Sequence, residues 1–346
     1  MKIRINKSRA IGDQEPCFII AEIGSNHNGD IDKAKKLINI AAKARVDAVK
    51  FQSIIFEELY INNKKNSDIR KLYKKIEFNE NWYPELNTYC IKKGLFFLSC
   101  PTYLKSIDLL EKIDVDLYKL ASPQVATYPQ LIQKVAKLKK PTILSTGYCT
   151  FTEIDRAVDI FIKEKNKKFA LLHCISEYPT LPEHVNLFLI SAFKQRYNVP
   201  IGFSDHTLGY DISIAAVARG ANILEKHITL SRDLEGPDHY FSLEPSEFVQ
   251  MVKAIRNVER SFGNGEKKHL LKKEIAFLDN VRMKAIAGRN IKKGKIIDKE
   301  KDIFFLRNVN GIDAWALFGP ERFFSKKDIR KGISITWKNS RKEGNG

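Results

Sequence analysis

Ala170-Leu171-Leu172-His173-Cys174, Ile201-Gly202-Phe203-Ser204 and Ile223-Leu224-Glu225-Lys226-His227 are three short, nearly continuous apolar runs, and stretches with helical periodicity separate them. Runs of this kind suit strands buried on both faces, as in a parallel sheet. The same unit recurs upstream as Phe18-Ile19-Ile20-Ala21-Glu22, Ala48-Val49-Lys50-Phe51-Gln52, Leu95-Phe96-Phe97-Leu98-Ser99, Leu117-Tyr118-Lys119-Leu120 and Thr142-Ile143-Leu144-Ser145. Between the first two of these, Ala34, Leu37, Ile38, Ala41 and Ala42 fall at i, i+3, i+4, i+7 and i+8, which predicts a helix over 32–45. Alternating strands and helices in this number argue for an α/β (β/α)8 TIM barrel. A doubly wound open sheet is the alternative, but no glycine-rich GxGxxG turn follows the first run.

The chain has 346 residues, enough for one barrel of ordinary size and a smaller module. The barrel is expected over 1–262, a charged linker over 263–281 and a small β-rich domain over 282–346. An insertion at 57–82, rich in Lys and Asn, is too long for a simple strand-to-helix turn; it reads either as a substrate wall or as a solvated excursion. The formal net charge is +18, yet the basic residues form only short clusters such as Lys64-Lys65 and Lys272-Lys273, and no nucleic-acid partner is expected. The first residues carry no apolar signal segment, and nowhere is there an apolar run of membrane-spanning length. Five cysteines without CxxC spacing point to free thiols, so a cytoplasmic protein with no membrane partner is expected.

Polar residues gather where the apolar runs end, which is where barrel enzymes carry their chemistry. Lys50 and Lys119 interrupt two different runs. A buried ammonium needs compensation, and an anionic ligand would supply it, so the two read as phosphate or carboxylate clamps. Ser122, Ser145, Ser176 and Ser204 would add neutral donors, although any one of them alone is an ordinary loop or capping residue. His206 and His227 lie at the ends of neighbouring runs. Each alone reads as a core histidine; together they could share a divalent cation, Mn²⁺ or a similar ion acting as a Lewis acid. Glu22 ends the first run and is a candidate for proton transfer or for accepting sugar hydroxyls. Asp238, in the Gly236-Pro237-Asp238-His239 turn, is placed at the same mouth.

In their order along the chain, these motifs resemble those of the N-acetylneuraminate (sialic acid) synthase family, which includes legionaminic and pseudaminic acid synthases. The resemblance rests on Ile20-Ala21-Glu22-Ile23-Gly24-Ser25-Asn26-His27-Asn28-Gly29, Val49-Lys50-Phe51-Gln52, Tyr118-Lys119-Leu120-Ala121-Ser122 and Ile143-Leu144-Ser145-Thr146-Gly147. It continues through Leu172-His173-Cys174 with Glu177-Tyr178-Pro179, Ser204-Asp205-His206-Thr207-Leu208-Gly209, Glu225-Lys226-His227 and Gly236-Pro237-Asp238-His239. It implies condensation of phosphoenolpyruvate with the open-chain form of an N-acylated hexosamine, N-acetylmannosamine first, to give a nine-carbon α-keto acid and phosphate. On this resemblance Lys50, Lys119, Ser122, Ser145, Ser176 and Ser204 bind phosphoenolpyruvate, and His206 and His227 hold Mn²⁺, with Mg²⁺ or Co²⁺ as alternatives. Gln52, Tyr178, Asp238 and Arg307 meet the sugar, with Glu22 and Asp238 as the catalytic candidates. The C-terminal residues, with Ile291-Lys292-Lys293-Gly294 and Leu306-Arg307, are similar to an antifreeze-like (SAF) domain, implying a swapped homodimer with Arg307 acting in trans.

Three positions depart from the family pattern: Cys100 where a threonine is usual, Pro123-Gln124 where Gly and an acidic residue are usual, and Asn308-Val309 where Pro-Gly is usual. Two other readings remain. One is a legionaminic-type synthase acting on a 2,4-diacetamido-2,4,6-trideoxyhexose. The other is a degenerate barrel that binds sugar without catalysis.

Overall fold

A computed structural model describes residues 2–267 and 269–344. The chain divides into two compact units, Met1–Gly263 and Asn264–Gly346. The first is the expected α/β barrel. Its strands are β1 (Phe18–Gly24), β2 (Ala48–Ser53), β3 (Phe96–Pro101), β4 (Tyr118–Leu120), β5 (Thr142–Ser145), β6 (Phe169–Cys174), β7 (Ile201–Asp205) and β8 (Ile223–His227). They form one eight-stranded sheet in the order β3-β2-β1-β8-β7-β6-β5-β4, every pair parallel. The end strands β3 and β4 also lie against each other, which brings the sheet round on itself.

Period-2 alternation explains why the runs look uniformly apolar while serving two environments. One set of side chains, including Ile19, Ala21, Val49, Phe51, Leu144, Leu171, Ile201 and Leu224, packs with the helices in the main core. The other set faces the barrel axis. Its lower layer is apolar: Phe18, Ile20, Ala48, Leu98, Leu117, Ile143, Ala170, Leu172 and Ile223 cluster with Ile3 and Ile11. Those two isoleucines come from an N-terminal hairpin, Lys2–Arg4 with Ala10–Gly12, that closes the lower end. Gly202 belongs to this layer and has no room for a side chain, since an added Cβ would stand 2.5 Å from both Leu172 Cδ2 and the Ile223 carbonyl oxygen. Two residues further along, the same face turns polar on six of the strands, to Glu22, Lys50, Lys119, Ser145, Ser204 and Glu225, with Cys100 and Cys174 at the matching places on β3 and β6, all buried.

The helix at Ile31–Ala44 follows the expected periodicity. Asp30 caps it by accepting from the Asp32 and Lys33 amides, and Arg45 ends it in the left-handed region. The 57–82 insertion folds into the helices Phe56–Leu59 and Ser67–Ile76 and short 3-10 turns. In the second unit, two short helices (Lys272–Ala276 and Leu278–Val281) occupy the stretch expected as a linker. Strands β9 (Lys284–Ala287) and β10 (Ile303–Leu306) pair antiparallel, as do β11 (Phe323–Ser325) and β12 (Ser340–Lys342). This unit has an apolar core of its own, including Ala285, Ile297, Phe323 and Ile335. No helix among the described residues is long and apolar enough to cross a membrane.

Candidate active site

A cavity of about 430 Å³ opens above the polar layer of the barrel. Glu22, Lys50, Gln52, Lys119, Ser122, Ser145, Tyr178, Ser204, His206 and His227 all line it, so ten of the residues singled out in the sequence meet in one place. At its base Lys50 Nζ lies 3.2 Å from Glu22 Oε2 and 3.3 Å from Glu225 Oε1. Lys119 Nζ lies 3.6 Å from Glu225 Oε2 and donates to Ser145 Oγ at 2.6 Å. Ser204 Oγ donates to Glu225 Oε1 at 3.0 Å. Glu225 is therefore the hub between the two lysines. Glu225 was not among the site residues expected from the sequence, although the alternation of β8 puts it on the same face as His227.

Two carboxylates and two ammonium groups balance in this buried cluster. Burial raises the Glu22 carboxyl above its usual range, and Lys50 opposes that shift. Burial acts the same way on Glu225, but Lys119 and Lys50 overcome it and hold that group ionised, below the carboxylate range. Burial disfavours the charge on Lys50, and Glu22 and Glu225 more than restore it. Glu22 Oε2 and Glu225 Oε2 accept no hydrogen bond. Their partners are instead the ammonium groups of those ion pairs, Lys50 for Glu22 and Lys119 for Glu225.

Gly24 shows how closely the first three groups converge. A Cβ there would stand 3.0 Å from Glu22 Oε1, 3.2 Å from Asp238 Oδ2 and 3.3 Å from Gln52 Nε2, and its φ of +52° suits glycine. Gln52 Nε2 donates to Glu22 Oε1 at 2.7 Å, and Ser25 Oγ donates to Asp238 Oδ2 at 2.8 Å. On the opposite wall a Cβ on Gly147 would collide with Ser176 Oγ and Ser122 Oγ, which places Ser176 beside Ser122. Cys100, the departure on β3, sits on the axis-facing side near Lys50 and Lys119, and its sulfur accepts the Ala121 amide at 3.1 Å. Thr102 lines the cavity in its place and donates to the Ser53 carbonyl at 2.5 Å. Arg307 follows β10 in the second unit, where it is exposed.

His206 and His227 sit at the ends of the paired strands β7 and β8, with ring centroids 5.5 Å apart. His206 Nδ1 donates to the Ile175 carbonyl at 2.8 Å, which leaves the lone pair on Nε2. His227 Nδ1 is buried without a hydrogen-bond partner, 3.9 Å from Asp238 Oδ2. Burial pushes His206 down to about 4 and His227 well below its ordinary value, so both rings are neutral, the form that binds metal. The described residues contain no cluster of three or more His, Cys, Asp or Glu able to hold an ion. What the site offers a divalent cation is two neutral imidazoles on neighbouring strand ends, so any such ion would take its remaining positions from water or substrate. Behind the strands, Lys226 Nζ lies 3.1 Å from Asp205 Oδ2 and donates to the Thr207 carbonyl at 2.6 Å. Asp205 Oδ1 accepts from the Thr207 amide and hydroxyl, both at 2.8 Å, and this buried network fixes the backbone on which His206 stands.

The NeuB family model matches residues 37–267. N,N'-diacetyllegionaminic acid synthase of Campylobacter jejuni is 38% identical over 310 residues, covering 86% of this chain and 92% of that protein. Human N-acetylneuraminate-9-phosphate synthase is 36% identical, also over 310 residues, covering 86% and 85%. Among solved structures, the sialic acid synthetase of Leptospira borgpetersenii, in complex with citrate, superposes with a TM-score of 0.74 at 35% identity, covering 81% of this chain and 97% of that one.

Proposed function

The chain belongs to the NeuB family, and from that premise we propose that it condenses phosphoenolpyruvate with an N-acylated hexosamine to give a nine-carbon α-keto sugar acid and phosphate. The observation that carries this reading is the polar base of the cavity, where Lys50, Lys119 and the hydroxyls of Ser145 and Ser204 gather in one layer with Glu22 and could receive an anion. N-acetylmannosamine is the proposed sugar. A 2,4-diacetamido-2,4,6-trideoxyhexose is the second reading, favoured by the similarity to the Campylobacter enzyme.

In this mechanism Lys50 and Lys119 hold the phosphate and carboxylate of phosphoenolpyruvate, with Ser122 and Ser176 as further donors. Its C3 bonds to the sugar aldehyde carbon, water adds at C2, and the C2–O bond to phosphate breaks. One proton of that water ends on the aldehyde oxygen, and the other leaves with the phosphate as the C2 hydroxyl becomes the ketone. Glu22, raised by burial, can carry the proton, with Gln52 and Asp238 orienting the aldehyde end. A divalent cation held by His206 and His227, Mn²⁺ first and Mg²⁺ or Co²⁺ as alternatives, would polarise the aldehyde oxygen. The reading includes a cytoplasmic homodimer in which the C-terminal unit, read as an antifreeze-like domain, brings Arg307 to the sugar of a partner copy. A sugar-binding barrel without catalysis would not need the lysine, glutamate and histidine groups together.

Phosphate release from phosphoenolpyruvate and Mn²⁺ across a panel of acyl hexosamines, with mass spectrometry of the products, tests the proposal. Release with one sugar and a product of nine-carbon mass is the expected outcome. No release, with neither phosphoenolpyruvate nor metal bound, would sink it. In the same assay Arg307→Ala raises the KM for the sugar if the partner's unit closes over the mouth, and leaves it unchanged if not.

A further inference from the structure

The base of the cavity is charged, but its rim is not. Above Lys50 on β2 the wall continues through Gln52 and Ile54 into the insertion, which contributes Leu59, Tyr60 and Tyr73. The tyrosine rings meet edge to face at 5.4 Å, and Phe56 stacks on Tyr60 at 5.5 Å. The Tyr73 hydroxyl donates to the Tyr60 hydroxyl at 3.5 Å, and burial holds Tyr73 neutral by raising it further. Thr102, which donates to the Ser53 carbonyl at the end of β2, and Gln124 add further uncharged lining. Gln124 Oε1 is buried without a hydrogen-bond partner. Among the described residues lining the cavity, the only lysines are Lys50 and Lys119, both committed at its base, and there is no arginine. Arg70 of the insertion lies over the Phe56 ring, and neither it nor any lysine of the insertion lines the cavity.

This distribution bears on the state of the sugar. Phosphoenolpyruvate adds three carbons ahead of hexose C1, so C6 of the hexose becomes C9 of the product. A synthase making a 9-phosphate must therefore hold a phosphate dianion at the sugar's far end, away from the anion site. Burying that dianion against tyrosine, isoleucine and leucine is unfavourable on a wall that supplies no cation of its own and leaves only the partner's Arg307 to answer it, whereas sugar C–H faces pack well on aromatic rings and phenol hydroxyls satisfy sugar hydroxyls. Resting on the synthase reading above, we propose that Tyr60 and Tyr73 are specificity-determining residues, and that the wall they form selects an unphosphorylated acyl aminohexose over its 6-phosphate.

The test uses the full chain saturated with phosphoenolpyruvate and freed of metal by chelation, so that sugar binding is read apart from turnover. N-acetylmannosamine should bind at least ~30-fold more tightly than N-acetylmannosamine 6-phosphate, on the scale of an uncompensated charge. Tyr60→Ala should weaken the free sugar by about 10-fold and leave phosphoenolpyruvate affinity unchanged. Tyr73→Phe keeps the ring and guards against a folding defect; it should lose only a few-fold in affinity. Tyr73→Lys, which puts a cation on the rim, should narrow the gap between the two sugars. Equal or tighter binding of the 6-phosphate, binding of neither sugar, or free-sugar affinity unmoved in the two Tyr73 variants and in Tyr60→Ala overturns the inference. Turnover with the 6-phosphate alone would overturn it while upholding the synthase; failure of phosphoenolpyruvate to bind would instead sink the synthase reading.

Discussion

Glu225→Gln lowers the unfolding temperature of the ligand-free protein by on the order of 10 °C, and phosphoenolpyruvate restores most of the loss. Glu225 is buried between Lys50 at 3.3 Å and Lys119 at 3.6 Å. Glutamine keeps the shape and an acceptor for Ser204 but removes the charge that balances two ammonium groups. Breaking a buried pair by removing one partner costs about 3–5 kcal/mol, and in a unit of this size each kcal/mol shifts the midpoint by about 2–4 °C. An anionic ligand on the same lysines replaces the missing charge, so it should stabilise the variant by more than it stabilises the native chain. Differential scanning fluorimetry with and without phosphoenolpyruvate reads both shifts. A midpoint that does not fall, or a fall that phosphoenolpyruvate leaves in place, would rule out the lysine pair as the anion site.

His227→Ala and His206→Ala each abolish Mn²⁺ binding and cut turnover by about 10³-fold or more, since Lewis-acid polarisation contributes several kcal/mol. The folded state should survive. Both rings are neutral, and the backbone that carries His206 is held independently by the Asp205–Lys226 network. Electron paramagnetic resonance counts bound Mn²⁺, while phosphoenolpyruvate affinity serves as the control for folding. Activity unchanged in both variants sinks the metal assignment. Loss of phosphoenolpyruvate binding along with the metal would mean that the histidines hold the anion site together instead.

The barrel was legible in the sequence because one physical rule governs all eight strands. Each must be apolar toward the helices, and the axis-facing positions are apolar only in the lower layer. Lys50 and Lys119 stood out because each interrupts an apolar run at the upper layer, and Glu22 because it ends one. Glu225 obeys the same parity, yet it sits in Glu225-Lys226-His227, where three polar residues in a row hide which ones face inward. The structure separates them: Glu225 and His227 line the cavity, while Lys226 turns away to Asp205. Tyr60 and Tyr73 could not be found this way. They lie in an irregular insertion, and only its folding back brings two residues thirteen apart to the same rim. The two short helices at 272–281 went unseen for a related reason, since their few turns carry too little periodicity to rise above a charged background.

The hairpin that seals the lower end has a kinetic consequence. With Ile3 and Ile11 closing the floor over an apolar layer, the barrel is a blind cup with a single mouth. With the lysines at the bottom and the aromatic wall at the lip, the proposed reactants would have to queue: phosphoenolpyruvate would descend first, and a sugar seated at the lip would trap it below. Departure reverses the sequence, the sugar acid clearing the lip before phosphate can rise. Inorganic phosphate should then compete with phosphoenolpyruvate for the empty enzyme in initial-rate measurements, and a random pattern would mean that the cup leaks.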